Sequence, residues 1–197
     1  ASSVVRGAKR AMIVVDLPFG SYQGNTKEAL SSSIKIMKES GAHAVKLEGG
    51  DDVVDSIKRI LLAGIPVMGH LGLIPQSIYK FGSYSVRAQE DAEAQKLIND
   101  AKTLEQAGVF ALVLEKVPAN LANEIANSIS IPVIGIGAGN SVDGQVLVSH
   151  DMFGMTHEFS PRFLRRYLNL YEDMKNAVNQ YCLDVQMGDF PNNKEQY

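Results

Sequence analysis

The chain has no tryptophan and a single cysteine, Cys182. One thiol cannot close an internal disulfide, so the fold must rest on a hydrophobic core, as suits a reducing compartment. Cys182 itself falls in a helical pattern and reads as a small packed hydrophobe. Long apolar runs are also missing: none approaches the ~18 residues that a membrane-spanning helix needs. There is no excess of positive charge. Nineteen Lys and Arg against 22 Asp and Glu leave a net charge of −3, which argues against binding to nucleic acid or to an anionic membrane. The first ten residues, Ala1 to Arg10, are short and basic and lead straight into a strand, unlike a secretory signal. A cytoplasmic protein is expected.

What is present is an ordinary globular composition, 45% hydrophobic and 21% charged over 197 residues, enough for one α/β domain with a proper core. Apolar strand patterns alternate with helical ones. Strands are predicted over Met12–Asp16, Ala44–Leu47, Ile65–His70, Val109–Leu114, Ile131–Ile136 and Gln145–Val148. Helices are predicted over Thr26–Ser40, from the Asp51-Asp52 turn to Leu62, over Glu90–Gln106 and Pro118–Ser128, and through most of Pro161–Gln186. Leu71–Gln89 reads as a long connection. Gly41, Gly64 and Gly108 stand where helices stop. Such alternation means βαβ units on a parallel sheet, with right-handed crossovers. Six strands fall short of the eight of a (β/α)₈ barrel of ~250 residues. Two architectures remain: an open six-stranded sheet, or a barrel without its first two βα units.

Four of these buried-type strands finish on side chains that are expensive to desolvate: Asp16, Glu48, His70 and Glu115. A series of this kind at the carboxyl ends of parallel strands is where α/β enzymes gather their chemistry. Lys46 and Glu48 are two apart and so share one face of their strand. They are either a buried ion pair, or a metal ligand beside a cation that binds a substrate carboxylate or enolate. Asp16 precedes Leu17-Pro18 and is either a turn cap or a second oxygen donor; with Glu48 it would suit Mg²⁺, which takes one or two carboxylates and keeps waters and substrate oxygens. His70 either reaches a cavity or is a satisfied core histidine. Glu115 is either a helix-terminal charge or a general base. No His/Cys cluster has zinc spacing. The run Gly135-Ile136-Gly137-Ala138-Gly139-Asn140 fails as a dinucleotide fingerprint, because Asn140 stands where the third glycine is needed. It reads as a tight turn lining a pocket, with a phosphate site as the alternative.

Six stretches in order resemble the ketopantoate hydroxymethyltransferase family: Val15–Phe19, Val45–Gly50, Pro66–Gln76, Leu112–Pro118, Ile131–Gly139 with Asp143-Gly144-Gln145, and His150–Gly154. The resemblance implies a (β/α)₈ TIM barrel, here residues 1–197 as a single, N-terminally incomplete domain. It implies transfer of a hydroxymethyl group from the co-substrate 5,10-methylenetetrahydrofolate to 3-methyl-2-oxobutanoate, through a Mg²⁺-stabilised enolate, in pantothenate biosynthesis. Carried over residue by residue, it makes Asp16 and Glu48 metal ligands, Asp16 and Lys46 substrate-binding, Glu115 the proton acceptor and His70 a catalytic residue of the pocket. It also implies a homo-oligomer, a decamer. The family's earlier Gly-Asp-Ser motif, with a further metal-binding Asp and a substrate-binding Ser, is not in this sequence, in agreement with the count of six strands. Two rival readings stand beside it: another metal-dependent enolising barrel enzyme, a lyase or mutase of phosphoenolpyruvate-like substrates, or an inactive fragment.

Overall fold

Six parallel strands form one sheet in the computed structural model, which describes residues 1–197. They are β1 (Val14–Asp16), β2 (Ala44–Glu48), β3 (Val67–Gly72), β4 (Ala111–Glu115), β5 (Val133–Ile136) and β6 (Gly144–Gln145), and their order in the sheet is their order in the chain. With right-handed crossovers, an order that never reverses puts every connecting helix on one face. The sheet is therefore singly wound and curls, with helices outside. The helices of this layer are α2 (Thr26–Ser40), α3 (Val54–Leu61), α5 (Asp91–Ala107) and α6 (Ala119–Ser128); α1 (Ser2–Gly7) precedes β1, and α4 (Ile78–Phe81) lies in the connection after β3.

Local signals set several of these elements. The Asn25 side chain caps α2 by accepting the Glu28 N–H, and Gly41, at φ 72°, ends it by donating to the Met37 carbonyl. Ser33, buried within α2, satisfies its hydroxyl on the Ala29 carbonyl. Period-two alternation then divides each strand. Val45, Leu47, Val67, Leu112, Leu114 and Val133 meet Ile57, Ile60, Leu97, Leu104, Leu121 and Ile125 in the core between sheet and helices. The intervening positions, Lys46, Glu48, Met68, His70, Val113 and Glu115, face the other way.

The chain divides into two compact units, Ala1–Val146 and Leu147–Tyr197. The second holds α7 (Ser149–Met152) and α8 (Leu170–Met187). No helix in the protein is long and apolar enough to cross a membrane.

Four expectations need correction. Cys182, read as a packed hydrophobe, is exposed on α8, which buries none of its residues. The sixth strand is Gly144–Gln145 rather than Gln145–Val148, because pairing to β5 stops after Val146 donates to the Gly135 carbonyl. The last helix begins at Leu170, not Pro161. The Tyr167 and Leu170 N–H groups turn back to the carbonyls of Met152 and Phe153, and the Arg166 guanidinium takes those of Thr156, His157 and Phe159, so this stretch is tied to the preceding segment rather than to itself. The connection after β3 is not wholly irregular: it contains a 3₁₀ turn, Pro75–Ser77, and the single turn α4.

Gly69 faces α5, and a Cβ there would lie 3.0 Å from Leu104 Cδ1 and 3.2 Å from Leu112 Cδ1. Gly69→Ala should overpack this seam and cost about 1–3 kcal/mol in urea unfolding. Leu104→Ala should cost about 2–5 kcal/mol through the cavity it leaves. The double variant should lose less than the sum, since the added methyl enters the vacated space.

Candidate active site

The strand register assembles the polar face. Asp16 pairs with Lys46 across β1 and β2, and Glu48 pairs with His70 across β2 and β3. His70 pairs with Val113 on β4, which places Glu115 one step further along the same face. Neighbouring parallel strands keep paired side chains on one side, so all five residues singled out from the sequence turn to the inner surface at the strands' carboxyl ends.

They join in one network. Lys46 Nζ lies 2.7 Å from Asp16 Oδ1 and 3.0 Å from His70 Nδ1. His70 Nδ1 is 3.8 Å from Glu48 Oε1, and His70 Nε2 is 3.4 Å from Glu115 Oε2. An ammonium can only donate, so His70 Nδ1 accepts from Lys46 and the neutral ring carries its proton on Nε2. That N–H points toward Glu115 but makes no hydrogen bond, and it is fully buried. An orphan buried donor costs about 1–3 kcal/mol, and native proteins seldom keep one without a use for it.

Glu48 is 8% exposed. Burial pushes its carboxyl above the usual range; the Gln76 N–H, His70 and Lys46 oppose this, and Asp16 adds to it. Its Oε2 accepts the Gln76 N–H at 2.9 Å. Asp16 is more open, with its side chain 58% exposed. Asp16 Oδ2 and Glu48 Oε1 accept no hydrogen bond from the protein. In its chemistry this donor set, two hard oxygens, fits Mg²⁺, which takes one or two carboxylates and completes its shell with waters and substrate oxygens. It does not make a closed cage, since no group of three or more His, Cys, Asp and Glu side chains gathers to hold an ion.

Two polar residues that the sequence reading passed over belong to the site. Tyr22 is buried; its hydroxyl accepts the Glu48 N–H and lies 3.2 Å from the Glu48 carbonyl and 3.0 Å from Gln76 Oε1. Gln76 closes the six-stretch motif at Pro66–Gln76, and Tyr22 ends the turn after β1, but neither carried a charge to draw notice. In the glycine-rich turn after β5, close packing requires a glycine. Gly139, at φ 82°, lies so close to Ala119 at the start of α6 that a Cβ would collide with it. A cleft of about 360 Å³ borders the strand ends beside Gly49 and Gly72, but none of the five network residues lines it.

The comparisons with known proteins agree in direction. Residues 1–193 match the model of a family described as ketopantoate hydroxymethyltransferase. The 3-methyl-2-oxobutanoate hydroxymethyltransferase of Flavobacterium johnsoniae is 71% identical over 197 residues, which are 100% of this chain and 72% of that protein. The enzyme of the same name from Bacteroides fragilis strain ATCC 25285 is 66% identical over 195 residues, 99% of this chain and 71% of its own. Among solved structures, the carboxyl transferase domain of Rhizobium etli pyruvate carboxylase superposes with a TM-score of 0.52 at 11% identity, covering 73% of this chain and 28% of that one. At that identity the likeness speaks for the fold alone.

Burial raises the Tyr22 hydroxyl from its ordinary value of 10.0 to about 12. The unfolded chain therefore loses this proton first as pH climbs. The stability it contributes is fully present below pH 10.0 and drains away up to about pH 12. Tyr22→Phe should be less stable near neutrality, by about 1–3 kcal/mol, because the Glu48 N–H loses its acceptor. The gap to the unmodified protein should narrow above pH 10.0, by up to ~1.4 kcal/mol per pH unit. Urea unfolding from pH 8 upward checks this; a constant gap would mean that the hydroxyl titrates normally.

Proposed function

The chain belongs to the ketopantoate hydroxymethyltransferase family, and from that premise we propose that the five-residue network is its catalytic site. The reaction is transfer of a hydroxymethyl group from 5,10-methylenetetrahydrofolate to 3-methyl-2-oxobutanoate, giving 2-dehydropantoate for pantothenate synthesis. The observation that carries the reading is the buried His70 Nε2–H, left unpaired beside the Glu115 carboxylate.

Proton removal from C3 of the keto acid places negative charge on the ketone oxygen. Lys46, at the centre of the network, holds the substrate carboxylate and keeps positive charge beside the developing oxyanion. Glu115, at the end of an apolar strand, takes the C3 proton. The His70 Nε2–H donates to the oxygen that gains charge, and Lys46 on Nδ1 holds the ring in that tautomer. Water adds to the folate's methylene carbon as that carbon's bond to one nitrogen breaks, and loss of its bond to the other nitrogen frees it as formaldehyde with tetrahydrofolate. Carbon C3 then adds to that carbonyl, whose oxygen takes a proton and becomes the hydroxymethyl group. Asp16 and Glu48 would hold Mg²⁺, which when bound supplies Lewis-acid charge to the keto acid's oxygens.

The same reading takes the six strands as part of an eight-stranded barrel. Their unreversed parallel order supports this, as does the 72% span of a relative 71% identical. It places the protein in the cytoplasm as a homo-oligomer, a decamer by family resemblance. Helix α8 buries none of its side chains and exposes Met174, Val178 and Tyr181, which a second copy could cover.

Glu115→Gln keeps the shape of the side chain and removes its capacity to accept a proton. Exchange of the C3 proton with solvent, followed by NMR in deuterated buffer, should fall roughly 10²–10⁴-fold while Mg²⁺ affinity changes little. Asp16→Asn should do the reverse, weakening metal binding first and turnover as a consequence. Exchange at the unmodified rate in Glu115→Gln would remove Glu115 from the proton-transfer step.

A further inference from the structure

Gln76 ties together the ends of three strands. It sits in the 3₁₀ turn that follows β3. Its backbone N–H donates to Glu48 Oε2 at 2.9 Å. Its Nε2 donates at 2.8 Å to the carbonyl of Leu17, the residue after Asp16. Its Oε1, 3.0 Å from each, accepts from the Tyr22 hydroxyl and from Gln23 Nε2. Tyr22 in turn accepts the N–H of Glu48 at 3.2 Å.

These bonds act on two side chains through what surrounds them. One oxygen of Glu48 is pinned, which leaves the other aimed into the site. The backbone after Asp16 is held from the β3 side, which fixes where β1 ends relative to β2. Neither Gln76 nor Tyr22 bonds to Lys46, His70 or Glu115, so the cradle supports the two carboxylates and not the proton-transfer pair. An amide suits the middle position, since with one side chain it donates to a carbonyl and accepts from a phenol. A glutamate would set its carboxylate against the Leu17 carbonyl, and a leucine would strand both partners.

We propose that Gln76, backed by Tyr22, is a positioning residue that sets the spacing and aim of Asp16 and Glu48 for a divalent cation. This rests on the metal reading given above. Residues that orient ligands from behind are typically worth 10–100-fold in metal affinity.

The test uses Mn²⁺ as probe, with free ion read by electron paramagnetic resonance during titration of the folded protein. Gln76→Leu should bind Mn²⁺ roughly 10–100-fold more weakly, with its circular dichroism unchanged. Tyr22→Phe, which removes one oxygen, should weaken binding in the same direction and serves if Gln76→Leu does not fold. Glu48→Gln tests the ligand itself, and Gly69→Ala reports what general destabilisation does. If Glu48→Gln loses Mn²⁺ while Gln76→Leu and Tyr22→Phe bind within twofold of the unmodified protein, the positioning role is overturned and the metal reading stands. If Glu48→Gln keeps full affinity, the metal reading falls and takes this inference with it. If Gly69→Ala weakens binding as much as Gln76→Leu, the effect is loss of rigidity and Gln76 has no special part.

Discussion

A single ammonium group organises the polar face of this sheet. Lys46 projects from the middle of a buried strand with its side chain only 15% exposed, where an unpaired charge would be costly. Its two partners come from the two flanking strands: Asp16, its register partner on β1, and His70, one step further along β3. Because the ammonium has only protons to offer, it fixes which ring nitrogen of His70 is bare. The other nitrogen must then present its N–H toward Glu115. The imidazole's tautomer, the aim of its free donor and the placing of Asp16 all follow from how one cation is compensated. Without the positive charge, the ring would lose the constraint that sets its tautomer, and Asp16 would lose the partner that holds Oδ1.

The network could form only at the carboxyl end of an unreversed parallel sheet. In such a sheet all strands end on the same rim, and alternate residues of each strand are released from the core. Close approach of β3 to β4 at that rim needs a residue without a side chain. Gly72, at φ 91°, supplies it: a Cβ there would collide with the Glu115 carbonyl. The chain then passes the rim, and the Leu73 N–H donates at 2.8 Å to that carbonyl. The carbonyl of Glu115 is anchored by this bond, while its carboxylate remains on the inner face beside His70.

How much of this could be read from the sequence depended on whether a residue's signal was local. Helix α2 has the predicted bounds because Asn25 and Gly41 carry its start and stop within the segment itself. The start of α8 was misplaced because the bonds that hold 161–169 are not local: the Arg166 guanidinium and the Tyr167 N–H reach back to carbonyls seven to fifteen residues earlier. The charged members of the site were legible because burying them is expensive wherever the fold takes them. Gln76 and Tyr22 were not. They are neutral, of types common in loops, and their bonds run to residues 54 and 59 positions apart along the chain for Tyr22 to Gln76 and Gln76 to Leu17. No periodicity reports such a contact.

Hydrogen bonding separates the turn-closing carboxylates of this protein from those of the inner face. Glu105 gives one oxygen to both the N–H and the hydroxyl of Ser130, at 2.5 and 2.6 Å, and these donors hold its carboxyl below the usual range. Asp143 accepts the Val133 N–H at 2.8 Å and fastens the start of β5. Such acids close turns; their oxygens are spent on the backbone. Glu48 is the opposite case. Burial outweighs the one N–H that Gln76 donates to it and the nearby Lys46 ammonium, so its carboxyl stands above the usual range, with an oxygen turned inward and uncommitted. The same side chain that is a structural staple at the helix-and-turn side of the fold becomes, on the inner face, a desolvated anion without full compensation. A fold selected for stability alone would have supplied the missing donor or replaced the acid by a hydrocarbon. That it keeps Glu48 Oε1, Asp16 Oδ2 and the His70 Nε2–H all uncommitted within one network is the physical ground on which the proposal of a substrate-completed surface rests.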